Sequence, residues 1–185
     1  MTASKGIDIS MYRPHLRDVP NAQLLPDGCR LRLLGRNDEP QLASLLRAAF
    51  AEPWDEERAA STLTRAEDVK AVYGVFWQNE LIATASSQFL PGRDLHAGFV
   101  HWVATHPSQR GKGLAATLLE RLLKDFEARG YRSARLFTQP ERLPAIWTYL
   151  KFGFVPEYEI DGRNDRNIWS GVFQALAATR HRDNT

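Results

Sequence analysis

The feature that most constrains this chain is a glycine-bearing turn set between a β-rich run and a long amphipathic helix. Over residues 112–129, Leu114, Ala115, Leu118, Leu119, Leu122, Leu123 and Phe126 recur on one helical face. That spacing predicts one apolar stripe that must bury itself against another layer. Glu120 and Lys124 support the helix at i, i+4, and Gly130 is placed to end it. Ala97–Thr105 reads as the strand before it, and Ser108 to Gly113 as the turn between them. The N-terminus of a helix exposes unpaired N–H groups and partial positive charge. Gly111 and Gly113 let backbone approach an anion without a side chain in the way, and Arg110 and Lys112 add cationic charge at the rim.

The rest of the chain supplies layers for that unit. Residues 30–34 alternate as a short strand, and Glu39–Phe50 carries Leu42, Leu45, Leu46 and Ala49 at helical spacing. Asp55, Glu56 and Glu57 load the start of a second helix with the charge its dipole favours. Val69–Trp77 and residues 81–89 predict a hairpin turning at Gln78, Asn79 and Glu80. Ser133–Thr138 reads as a strand, 144–150 as a short helix with Pro144 in its first turn, and 152–158 and 166–173 as a β-rich end. The order β-α-α-β-β-β-α-β-α-β-β predicts an α/β (α+β) fold: a mixed sheet flanked by helices. Residues 1–28, with Pro14, Pro20 and Pro26, are expected to form an extended arm, 29–178 the domain, and 179–185 a polar tail.

Composition narrows the function classes. The 185 residues suit one domain, and 24 basic against 22 acidic residues leave a net charge of +2, without the field that nucleic-acid binding demands. The single cysteine, Cys29, allows no internal disulfide, and the five histidines form no H-x-x-x-H pair, so no metal site is expected. No run approaches the roughly 18 apolar residues of a membrane span, and residues 1–21 hold no apolar stretch like a signal peptide. The expectation is a cytoplasmic protein.

Spacing sorts the phosphate-binding motifs. A P-loop needs Ser or Thr after its Gly-Lys, whereas Gly113 is followed by Leu114. The pattern G-x-G-x-x-[G/A] is met by Gly111, Gly113 and Ala116, so a dinucleotide site stays open on the motif alone. That motif usually closes the first strand of a βαβ unit, and here it follows a hairpin late in the chain.

At Gln109-Arg110-Gly111-Lys112-Gly113-Leu114 the chain resembles the GCN5-related N-acetyltransferase (GNAT) superfamily, as a close variant of its loop [Q/R]-x-x-G-x-[G/A], with Arg110-Gly111-Lys112-Gly113 matching its commonest form. The preceding Val103-Ala104-Thr105-His106-Pro107 and the long helix after it also resemble the family. So does the second block, Ala145 to Phe154, which fits A-x-x-x-Y-x-x-x-G-F. The resemblance implies a mostly antiparallel sheet of about 6–7 strands with about four helices, and acetyl-CoA held in a splayed gap between two parallel strands. It implies pyrophosphate on the amides of Arg110 through Ala115, and a pantetheine arm paired with Val103, Ala104 and Thr105 like an added strand.

Family likeness also implies roles. Tyr149 takes the place of the general acid that protonates the departing thiolate. A phenol with a reference pKa near 10 is protonated at neutral pH. His101, expected on one strand face with Phe99 and Val103, is the candidate base acting through water. His106 reads as structural, and Glu157 is a further candidate base. Arg142 stands where many relatives carry an asparagine that contacts the cofactor; arginine would reach a phosphate instead. The acceptor is expected to be the primary amine of a small molecule or peptide. The family forms the acceptor pocket from the first two helices and the C-terminal hairpin. There Glu52, Trp54, Asp55, Glu56 and Glu57 would either attract a cationic amine or simply make a solvated helix start. Trp147, Trp169 and Phe89 would line an apolar pocket or pack the core. A homodimer through the arm is expected by analogy only. The competing expectations are a CoA-binding partner protein without turnover and a nucleotide-binding module.

Overall fold

The computed structural model describes residues 7–183. Its strands are β1 (Ile9–Arg13), β2 (Cys29–Leu33), β3 (Val69–Trp77), β4 (Glu80–Gln88), β5 (Ala97–Thr105), β6 (Ser133–Thr138), β7 (Val155–Glu157), β8 (Glu159–Ile160) and β9 (Arg163–Asn164). The helices are α1 (Glu39–Phe50), α2 (Glu56–Ala59), α3 (Leu114–Ala128), α4 (Leu143–Lys151) and α5 (Arg166–Asp183). Seven strands form one sheet in the order β2-β3-β4-β5-β6-β1-β7, and β8 pairs with β9 apart from it. Every pairing in the large sheet is antiparallel except β5 with β6, which α3 connects. The mixed, mostly antiparallel fold is therefore as expected, with five helices where about four were anticipated.

Two apolar layers hold the sheet. On one face, Leu118, Leu122 and Phe126 of α3, Ile146 of α4 and Trp169 of α5 pack with Val100, Leu136, Ile9 and Met11. On the other, Leu42, Leu45 and Leu46 of α1 pack with Ala59 and Leu63 over Val72, Phe76 and Ala104. The amphipathic stripe of α3 is thus the keystone of the larger core. Leu122 is fully buried, and its replacement by alanine would cost about 2–5 kcal/mol. Gly98 lets α3 sit directly on β5, since a Cβ there would meet the Phe126 ring at 2.3 Å.

Both chain ends depart from the sequence reading. Residues 166–173, expected as a strand, are the first half of α5. Trp169, Val172 and Leu176 are all buried, a helical i, i+3, i+7 row that only a window running past Phe173 displays. The seventh strand of the sheet is β1, set between β6 and β7. The arm is thus not external to a domain beginning at residue 29. Ile9–Arg13 lies inside the sheet, with Ile9 and Met11 fully buried, and only 14–28 runs as a connector. Residues 1–6 of the expected arm lie outside the described residues. The polar tail expected at 179–185 continues α5 to Asp183, and 184–185 lie outside the described residues.

Candidate active site

The site begins where the parallel pair comes apart. β5 and β6 are in register from Ala97↔Ser133 to Val100↔Leu136, and there the pairing ends while β5 runs on to Thr105. On its other edge β5 takes three steps, His101 to Ala104, while β4 takes two, Ser86 to Thr84. The extra residue is a bulge, and Trp102 adopts a left-handed φ of 45° to make it. A bulge resets the alternation of side chains. Val103 packs toward the α3 layer, whereas Trp102 and Ala104 pack toward α1. Val103 therefore does not share a face with His101, contrary to the unbroken alternation assumed from sequence. Val103, Ala104 and Thr105 form the free stretch of β5 beyond the split.

The turn that follows carries the two glycines and opens α3. His106 accepts from the Ser108 N–H at 3.3 Å and lies 2.8 Å from the Ser108 hydroxyl, fixing the short turn Pro107–Gln109. Gly111 and Gly113 take φ of 78° and 76°, conformations that a side chain would strain. A Cβ on Gly111 would meet nothing within 4 Å and would project into open space in front of the loop. Gly113 caps α3 without any side-chain hydrogen bond to the first amides of the helix. The Leu114 side chain is buried in the core, which leaves that residue its amide to offer. Lys112 donates to Gln109 Oε1 at 2.7 Å, holding both at the loop's outer side. Arg110 reaches the Ala49 carbonyl at 3.4 Å. Arg142 donates to Gln139 at 2.8 Å and lies 4.8 Å over the Phe50 ring. These groups fit a phosphate-bearing ligand: backbone donors, glycine at the point of approach and two guanidinium groups, both lodged against Ala49 and Phe50 at the end of α1.

Beside the bulge stands an aromatic wall of which sequence reasoning had named only Trp54. Trp102 meets Phe50 and Trp54 edge to face, with centroids 5.2 and 4.7 Å apart. The contacts are set by the left-handed residue at 102, for which Trp carries no sequence signal. His101 lies on the same side, its Nδ1 3.2 Å from the Ser86 hydroxyl, and burial pulls its pKa down to about 4 despite the charge of Asp68. Tyr149 is buried on α4 against Phe154, and burial pushes its pKa up to about 12, opposed only in part by Arg142.

Most of the acidic and aromatic residues suggested for the acceptor are committed elsewhere. Glu52 pairs with Arg58 at 2.7 Å, and Asp55 caps α2 by accepting from the Arg58 N–H. Trp54 and Trp169 are core side chains, and Phe89 packs on Tyr131. Trp147 packs beneath Lys151, 5.2 Å from its ring. A cavity of about 500 Å³ lies instead over β5, β6, β1 and β7. Its lining includes Ser10, Arg93, Phe99, Arg135, Glu157 and Asp161. Glu157 accepts from Ser10 at 2.6 Å and from Arg135, and Arg93 pairs with Asp161 at 3.0 Å across the rim. With Glu159, three carboxylates face two guanidinium groups. Phe99 belongs to the same strand as His101, two residues away, so the cavity and the bulge share β5. Of these residues sequence reasoning had named only Glu157 and Phe99.

Among the described residues no His/Cys/Asp/Glu group could hold a metal ion, and no helix is long and apolar enough to cross a membrane.

Mycothiol acetyltransferase of Catenulispora acidiphila is 29% identical over 163 residues, covering 78% of this chain and 49% of that protein. The Nocardia farcinica protein of the same name is 29% identical, covering 80% and 51%. The chain thus spans about half the length of the curated relatives it matches. Among solved structures, a GNAT-family protein from Novosphingobium aromaticivorans superposes with a TM-score of 0.60 at 26% identity, covering 81% of this chain and 59% of that one. The ribosomal-protein-S18-alanine N-acetyltransferase of Escherichia coli gives 0.60 at 23%, covering 74% and 87%, a likeness of fold. The model of the acetyltransferase (GNAT) family matches residues 39–154, and the chain belongs to that family.

Proposed function

We propose that this chain transfers an acetyl group from acetyl-CoA to the primary amine of a small molecule. The observation that carries the reading is the split of β5 from β6 after Val100, beside the Trp102 bulge and in line with the Gly111–Gly113 turn. The pyrophosphate would be held by the amides of Arg110, Gly111, Lys112, Gly113, Leu114 and Ala115, with Gln109 and Lys112 bracing the loop. Arg110 and Arg142 supply the facing cations. Val103, Ala104 and Thr105 offer the free strand edge for the pantetheine arm. Acetyl-CoA supplies the activated thioester and the thiolate leaving group.

The remaining steps belong to side chains. His101 stays neutral at physiological pH and is free to draw a proton from the incoming ammonium through water. Its low basicity makes it a relay rather than a strong base. Tyr149 stays protonated and donates a hydrogen bond to the departing sulfur. A phenol near 12 is a weaker acid than a thiol near 8.5, so Tyr149 stabilises charge on sulfur until the proton leaving the amine replaces it. The cavity of Ser10, Phe99, Arg135 and Glu157, with its excess of carboxylate, suits a small cationic amine reaching the bulge along β5. A cytoplasmic location and a homodimer belong to the same reading. The test is acetyl-CoA-dependent thiol release against a panel of small amines and peptides. Release with at least one small amine supports the reading. CoA binding without release from any amine would favour the partner-protein alternative.

A further inference from the structure

The connector between β1 and β2 does more than join two strands. Arg13 anchors its start, donating to the carbonyls of Phe152, Arg17 and Asp18. Leu16 is buried, and Val19, Ala22 and Leu25 pack against the core beneath. The connector then crosses the first turns of α3. The Ala22 N–H donates to Glu120 at 2.8 Å, and the Thr117 hydroxyl donates to the Gln23 carbonyl at 3.4 Å. Residues 120, 117 and 113 form one row along the helix, and the strap follows that row to its N-terminus. There the side chain of Gln23 ends beside the anion turn, its Oε1 3.4 Å from where a Cβ on Gly113 would stand. An exposed, neutral amide is thereby placed against the backbone of a residue whose neighbours hold open N–H donors.

We propose that this strap is the outer wall of the phosphate cradle and that Gln23 is a positioning residue for the CoA pyrophosphate. The inference rests on the acyl-CoA reading above. A carboxamide turns to present either its oxygen or its NH2, so Gln23 accepts from solvent in the free protein and donates to a phosphate oxygen when one arrives. Its strap is held independently at Arg13, Leu16 and Ala22, so the backbone that carries the donor is preorganised. The consequence is that an N-terminal segment, remote in sequence, tunes cofactor affinity without touching the reacting atoms.

The test is a charge series at one exposed position, read by calorimetric titration of CoA into the full chain. Gln23→Ala is expected to weaken CoA about fivefold and Gln23→Glu at least about tenfold, whereas Gln23→Arg should bind at least as tightly as wild type. The unliganded Tm of all three should match wild type. KM for S-acetylpantetheine, which lacks phosphate, should not follow the series. Equal affinities across the series, or equal weakening by Arg and Glu, would overturn the strap's role while leaving the acyl-CoA reading intact. Wild-type protein that binds no CoA would overturn both.

Discussion

The proposed cofactor cradle and the acidic cavity share β5, yet they are built in opposite ways. The cradle is nearly contiguous: residues 103–115 supply the strand edge, the glycines and the helix amides, so most of its donors are backbone, and only Arg142 and Gln23 come from outside that stretch. The cavity draws on Ser10, Arg93, Phe99, Arg135, Glu157 and Asp161, scattered over 152 positions and meeting only after the sheet closes. A backbone site needs spacing, which a sequence displays. A side-chain site needs tertiary neighbours, and its charges are spent on one another until a ligand arrives. The cradle should therefore fail through geometry and charge at single glycines, and the cavity through loss of selectivity.

The largest expected effect falls on the cradle. Gly111→Glu should lower CoA affinity by at least about a hundredfold in a calorimetric titration, because the carboxylate would project where the phosphate sits. Gly111→Ala meets no neighbour and carries only the strain of a positive φ, about 1–2 kcal/mol, so a far smaller loss is expected. Equal effects of the two would place the anion elsewhere. Next comes Tyr149→Phe, expected to lower kcat on the order of a hundredfold while CoA affinity holds. Unchanged turnover would remove the phenol from the chemistry.

On the cavity side, Glu157→Gln should raise the acceptor KM about tenfold and leave CoA affinity unchanged. A loss confined to CoA would dissolve the distinction between the two regions. The smallest effect concerns His101. Its pKa is about 4 in the folded chain and near 6.5 when free, so the unfolded chain takes up its proton first as pH falls. The stability it contributes is present above pH 6.5 and is lost between pH 6.5 and 4. Thermal melts of His101→Asn should lose less stability than wild type between pH 7 and 4.5. An identical slope would mean that His101 is not held neutral by burial.

Legibility followed the same division. The α3 stripe and the β3–β4 hairpin were readable because their periodicity is local and strong. The bulge at Trp102 was not, since a left-handed tryptophan is imposed by strand pairing rather than by its own preference. β1 was hidden by its length: Ile9, Ser10, Met11 and Tyr12 do alternate, but five residues before Pro14 are too few to outweigh an arm-like context. Residues 166–173 misled for the converse reason. Ile168, Trp169, Val172 and Phe173 are β-forming types, and their helical row is visible only with Leu176 in view. The exchange of these two segments left the number of strands nearly right and the identity of one of them wrong.

The central claim is that the cradle selects CoA. Thermal melts with acetyl-CoA, CoA, ATP and NAD at matched concentrations test it most directly, because a ligand that binds only the folded chain raises Tm by mass action. A rise with the CoA forms, and none with ATP or NAD, is the expected result. A rise with ATP or NAD alone, or with none of the four, would contradict the account.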